Sequence, residues 1–193
     1  MTIVLASRNA HKIEELRRMA PHVDWIVLPA HLPDPPEDGD TFEGNALQKA
    51  RFVAEATGGV VLADDSGLEV DALGGRPGVW SKRYSAEGTD AANNAKLLGE
   101  LAGVPDAART ARYRCVLAVV SGSLARTVAG ACEGAIGHAP RGTGGFGYDP
   151  LFLPSAAPGR AMAELSPAEK DAISHRGAAM ARLDELLEGL AGR

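Results

Sequence analysis

The stretch Gly142-Thr143-Gly144-Gly145-Phe146-Gly147, continued by Tyr148-Asp149-Pro150-Leu151-Phe152-Leu153-Pro154, decides between two folds. Taken alone, "GTGGFG" reads as G-x-G-x-x-G, the fingerprint of a dinucleotide-binding turn. There the glycines close a strand-to-helix turn and the helix N-terminus holds a pyrophosphate. A helix starting here would carry Pro154 in its interior, where proline removes a backbone hydrogen bond and clashes with the preceding turn. The residues ahead, "GHAPR", do not read as a strand either. The Rossmann reading fails. Four glycines in six residues then describe an irregular loop whose backbone can come close to a ligand.

Outward from this loop the pattern is mixed. Upstream, residues 112–120 and 127–136 read as two neighbouring strands with "SGS" at 121–123 in the turn between them. Downstream, Ser166-Pro167-Ala168-Glu169 is a capping box with proline at the first helical position. Its helix carries Lys170 and is expected to end near "SHRG", with a last helix from Gly177 to about Glu188. At the N-terminus, Thr2-Ile3-Val4-Leu5-Ala6 reads as a buried strand running through "SRNAHK" into a helix with Ile13, Leu16 and Ala20 on one face. A short strand at 25–28 and a Pro- and Asp-rich loop follow. Asp40 and Glu43 have N-cap and N3 spacing for a helix with Phe42, Ala46, Ala50 and Val53 in one stripe. Val60-Val61-Leu62-Ala63 reads as a strand ending at "DDSG", and residues 90–101 read as helix. Crossovers and hairpins together give an α/β fold with a mixed sheet.

The 193 residues suit a single domain, 1–193, with two lobes allowed. A net charge of −5 argues against broad affinity for nucleic acid or an acidic membrane, though it leaves room for a local cationic pocket. The apolar run in "MTIVLASRN" is too short for a signal peptide, and no segment approaches the roughly 18 apolar residues of a membrane span. Cys115 and Cys132 lack metal-ligand spacing and read as buried thiols in a reducing compartment. A cytoplasmic protein is expected.

Four polar clusters fall at element ends, where α/β folds place ligand sites. In "SRNAHK", Ser7, Asn9, the helix N-terminus and Lys12 suit a phosphate chain; the competing reading is a helix cap with a solvated lysine. In "ADDSG", the adjacent Asp64 and Asp65 ionise together more easily beside a cation. Mg²⁺ would bind there through one or two carboxylates plus phosphates, with Glu37 or Asp38 of the acidic loop as a further carboxylate. The competing reading is a plain turn. In the glycine loop, Phe146 and Tyr148 offer aromatic faces and Asp149 an acceptor, a combination that could hold a planar base; the competing reading is a glycine-rich turn with buried aromatics. In "SHR", His175 and Arg176 could donate to a base carbonyl or phosphate, or cap a helix C-terminus.

Together these clusters resemble the inosine triphosphate pyrophosphatase family, which acts on nonstandard purine nucleoside triphosphates such as dITP and XTP. "SRNAHK" is similar to its N-terminal [ST]-x-N-x-x-K signature. "TFEGNALQKA", "LADDSGLEVDALGGRPGVWSKRYS", "GTGGFGYDPLF" and "AELSPAEKDAISHRG" match in order and spacing. Arg8 stands where the family often has Gly. The resemblance implies an elongated mixed β-sheet with flanking helices, two lobes around a central cleft, and commonly a homodimer. It implies Mg²⁺-dependent hydrolysis of ITP, dITP or XTP to monophosphate and pyrophosphate, cleansing the nucleotide pool. By the same resemblance Asp65 is the catalytic base and a metal ligand with Glu37. Ser7, Asn9, Lys12, Ser66 and Lys170 meet the phosphates, with Lys82 or Arg83 as further cations, and Arg8, Ala10 and His11 belong to the same substrate-binding segment. Phe146, Gly147 and Tyr148 take the base, and Asp149, His175 and Arg176 read its edge. Two alternatives stay open: a phosphohydrolase for pyrimidine or modified nucleotides, and a nucleotide-binding module without turnover.

Overall fold

The computed structural model describes residues 1–190. Six strands form one sheet in the order β2-β1-β3-β4-β5-β6. They are β1 (Thr2–Leu5), β2 (Asp24–Val27), β3 (Val61–Val70), β4 (Thr110–Ser121), β5 (Leu124–Ile136) and β6 (Phe152–Pro154). β1 pairs in parallel with β2 and with β3, while β5 pairs antiparallel with β6. The sheet is therefore mixed, as expected. The helices are α1 (Ala10–Met19), α2 (Phe42–Thr57), α3 (Asp90–Glu100), α4 (Pro167–Ile173), α5 (His175–Met180) and α6 (Leu183–Leu187). Among the described residues no helix is long and apolar enough to cross a membrane.

The chain forms two compact units. The first comprises residues 1–65, 115–130 and the chain from Arg176 on; the second comprises 66–114 and 131–175. Neither is a continuous stretch of sequence. In the first unit, strand alternation sends successive side chains to opposite faces. Ile3, Leu5 and Leu62 pack with Leu16 of α1, Ala179 of α5 and Leu183 of α6, whereas Val4, Ala6, Val61 and Ala63 pack with Ala46, Ala50 and Val53 of α2. The second unit has one core, joining Leu68 and Val70 of β3 to Leu97 of α3, Tyr113 of β4, and Tyr148 and Phe152.

Local chemistry sets most element ends. Asn9 caps α1, and Ser166 with Glu169 forms the expected capping box on α4. Three expectations change. The cap of α2 is Thr41, whose hydroxyl accepts from the Gly44 N–H at 3.0 Å, not Asp40. The helix expected from Gly177 begins at His175 and is broken into α5 and α6. Most consequentially, β3 does not stop at Asp64-Asp65-Ser66-Gly67 but continues through it to Val70, so both acids stand in the middle of a strand.

Candidate functional site

In the first unit, "SRNAHK" bridges β1 and α1. Asn9 Oδ1 accepts from the N–H groups of His11 and Lys12 at 3.1 and 3.2 Å, and Ser7 Oγ accepts from Asn9 N–H at 3.1 Å. Asn9, expected on a phosphate, thus acts as the cap that organises the first turn; Ala10 and His11 are exposed beside it. Arg8 turns toward the 29–34 loop, pairing with Asp34 at 2.7 Å and donating to the Leu32 carbonyl. Lys12 is no solvated lysine. Its Nζ lies 2.5 Å from Asp64 Oδ1.

Asp64 is fully enclosed by positive charge and donors. Arg176 Nε donates to its Oδ2 at 2.9 Å, and the Cys115 thiol donates to the same oxygen at 3.1 Å. Arg176 also reaches Glu15 of α1 at 2.5 Å and is only 1% exposed. Burial works to raise the Asp64 carboxyl, and the Arg176 guanidinium and Lys12 ammonium more than offset it, holding the group well below the usual carboxylate range. Arg176 was expected at the edge of a base. In the structure its guanidinium lies inside the first unit, clamped on Glu15 and Asp64.

Asp65 faces the other side of β3, where α2 presents Asn45 and Lys49 one turn apart. Lys49 Nζ donates to Asp65 Oδ1 at 3.0 Å, Glu37 Oε1 at 2.6 Å and the Asp64 carbonyl at 2.8 Å. Asn45 Nδ2 donates to Asp65 Oδ2 at 3.1 Å, and its Oδ1 accepts from Gly39 N–H at 2.8 Å. Burial works to lower the Lys49 ammonium, but Asp65 and Glu37 outweigh it, so the lysine stays charged. Burial raises the Asp65 carboxyl against the opposing pull of Lys49 and Lys12. The two acids, adjacent in sequence, are therefore tuned in opposite directions. Among the described residues no group of three His, Cys, Asp or Glu could hold a metal. Glu37 and Asp65 do converge on one point, the Lys49 ammonium. Two carboxylates suit Mg²⁺ when phosphate oxygens and water complete its shell.

In the second unit, the glycine loop is held from within. Asp149 Oδ2 accepts from the Phe146 N–H at 2.9 Å and from Lys170 Nζ at 2.5 Å. The Lys170 ammonium also lies 4.7 Å over the Phe146 ring. Lys170 was expected on the phosphates and Asp149 at the base edge. The structure pairs them with each other under the Phe146 loop. The Tyr148 hydroxyl donates to the Ser81 carbonyl at 2.7 Å. His175 is buried, its ring stacked on Tyr113 at 4.6 Å between centroids. Burial and the Asp149 charge push the Tyr113 phenol well above its ordinary value. Ser66 is half-buried on β3, and Lys82 and Arg83 are exposed, with Arg83 stacked on Trp80 at 5.3 Å. Two of the loop's glycines are required by the protein's own packing. A Cβ at Gly145 would run into Asp149 Oδ2, and one at Gly142 into the Ala163 backbone.

Three residues of this machinery escape the sequence reading: Lys49, Asn45 and Glu15. Lys49 borders the stripe of Ala46, Ala50 and Val53, so a lysine beside core-facing positions was the available signal. Asn45, with Lys49, lies in the "TFEGNALQKA" segment that resembles the family; Glu15 carried no signal.

The chain matches the Ham1 family over residues 3–186. It is 49% identical to a protein named dITP/XTP pyrophosphatase from an Anaeromyxobacter species, over 99% of this chain and 98% of that one. It is 54% identical to one of the same name from Nitratidesulfovibrio vulgaris, over 96% and 95%. A solved structure of a HAM1 protein from Coxiella burnetii aligns with a TM-score of 0.87 and 41% identity, over 97% of this chain and 98% of that one.

Proposed function

The chain belongs to the Ham1 family, and from that premise we propose that it hydrolyses nonstandard purine nucleoside triphosphates, ITP, dITP and XTP, to monophosphate and pyrophosphate. The names of its relatives from Anaeromyxobacter and Nitratidesulfovibrio support this substrate class. The observation that carries the chemistry is the placement of two lysines on one strand of acids. Lys12 is lodged against Asp64, and Lys49 against Asp65 and Glu37. Each lysine is held in place by carboxylates, and phosphoryl chemistry depends on charge neutralisation and positioning more than on covalent catalysis.

In this reading Lys12 meets the triphosphate, Lys49 holds Asp65 and Glu37 in place from beneath, and Asp65 accepts the proton of the attacking water. Water adds across the α–β anhydride, one proton passing to Asp65 as pyrophosphate leaves. A base works best with a pKa lifted toward the operating pH, the direction in which burial moves Asp65. Glu37 and Asp65 would hold a magnesium ion, which supplies charge neutralisation at the phosphates when bound. Asp64, locked by Arg176 and Lys12, stays ionised and fixes Lys12 in place. Phe146, half-buried, would take the purine, and the buried Asp149–Lys170 pair fixes the loop that carries it.

Product analysis tests this. With Mg²⁺, ITP, dITP and XTP should yield monophosphate and pyrophosphate by ion-exchange chromatography, and ATP far less. Accumulation of IDP with orthophosphate would place cleavage at the other anhydride and overturn the reading.

A further inference from the structure

α3 opens with Asp90-Ala91-Ala92-Asn93-Asn94. Asparagine is a poor helix former because its amide competes for backbone partners, yet Asn93 and Asn94 are only 3% and 9% exposed. Their contacts explain them. Asn93 Oδ1 accepts from Ser85 N–H at 2.7 Å, and its Nδ2 donates to the Lys82 carbonyl at 3.2 Å, holding the segment before the helix. Asn94 Nδ2 donates to the Gly147 carbonyl at 2.8 Å. One turn earlier, Asp90 Oδ2 accepts from the Gly147 N–H at 2.6 Å. Residues four apart share a helix face, so one face of α3 grips both polar groups of a single glycine. Gly147 has φ +64°, a conformation few other residues adopt, and it stands between Phe146 and Tyr148.

Stability alone does not account for Asn94. Its Oδ1 is buried with no hydrogen-bond partner among the described residues, an arrangement that native cores usually avoid. The half of the amide that is used is its NH₂ group, on the Gly147 carbonyl. We propose that Asp90 and Asn94 are positioning residues for nucleobase recognition: by clamping Gly147 they fix the direction of the Phe146 ring. The inference rests on the reading that Phe146 takes the purine.

The test compares ITP with inorganic triphosphate, which has phosphates but no base. Asp90→Ala, Asp90→Asn, Asn94→Ala and Phe146→Ala are each assayed for ITP KM and kcat, for the inhibition constant of inorganic triphosphate, and for melting temperature. Loss of one such hydrogen bond should raise the ITP KM by about two- to tenfold, with a smaller change in kcat and an unchanged triphosphate inhibition constant. Asp90→Asn, which keeps an acceptor oxygen, should fall nearer the parent than Asp90→Ala. Asp90 is exposed, so its variants remain informative if Asn94→Ala folds poorly. The clamp is refuted if Phe146→Ala raises the ITP KM while the Asp90 variants leave it unchanged, or if triphosphate inhibition weakens in parallel with ITP. An ITP KM untouched by Phe146→Ala would instead overturn the base-loop reading, and the clamp with it.

Discussion

Replacing Arg176 by methionine separates two roles for a residue that the sequence placed at the nucleobase. In the structure its guanidinium is 2.5 Å from Glu15 and 2.9 Å from Asp64, and is itself buried. Removing one partner of a buried ion pair typically costs about 3–5 kcal/mol, because the other charge is left unpaired. Lys12 remains 2.5 Å from Asp64, so the loss should fall at the lower end, about 3 kcal/mol. For a chain of this length that is a fall in melting temperature of about 6–12 °C. Stability from a depressed carboxylate is present above its unfolded value, near pH 4, and is lost as pH falls through the folded value. Arg176 is the strongest influence lowering Asp64. The gap between parent and variant should therefore be full at neutral pH and close on acidification below about pH 4. Urea denaturation across this range, with kcat/KM for ITP and ATP, is the assay. The ITP-to-ATP ratio should hold. An unchanged melting temperature with a ratio reduced about tenfold, the size of a charge-assisted contact, would instead place Arg176 at the base.

Asp65→Asn keeps the shape and removes the proton acceptor; kcat for ITP should fall by about 10²–10⁴, whereas near-normal turnover would exclude Asp65 as the base. Lys49→Met leaves Glu37 and Asp65 without their shared ammonium, and should lower kcat about 10²–10³-fold together with the melting temperature; a change in stability alone would confine Lys49 to a structural role. Gly145→Ala places a methyl against Asp149 Oδ2 at a backbone with φ +69°, and should raise the ITP KM severalfold, read by steady-state kinetics beside an unchanged inhibition constant for inorganic triphosphate.

What the sequence disclosed was governed by local chemistry. α1, α3, the β4–β5 pair and the capping box on α4 are written in periodicity, turn residues and caps a few positions apart, and each appears where expected. From sequence, β3 reads as ending at "DDSG" because Asp64-Asp65-Ser66-Gly67 has the composition of a turn. Its extended course is accompanied by partners that lie far away in the chain: Arg176 is 112 residues from Asp64, and Lys49 is 16 from Asp65. The same distance explains the site. Asp64, Asp65, Lys12 and Phe146 stood out by type and neighbourhood. That Asn9 would cap, that Lys170 would pair with Asp149, and that Arg176 would hold Asp64 depends on which element packs against which, and no short window of sequence carries that information.

The continuity of β3 has a consequence for how this protein can vary. Along a strand, odd and even positions look in opposite directions, and here parity assigns the jobs: even positions 62 and 64 look toward α1 and α5, odd positions 61, 63 and 65 toward α2. Inserting or deleting one residue within 61–65 would not merely shift the strand but exchange its acids, presenting a carboxylate to Arg176 from the wrong position and a different residue to Lys49. Substitutions there can be graded, but a change of length by one cannot. The spacing between Leu62 and Ser66 is therefore fixed as tightly as the acids it contains, and any lengthening of the chain has to be absorbed outside it.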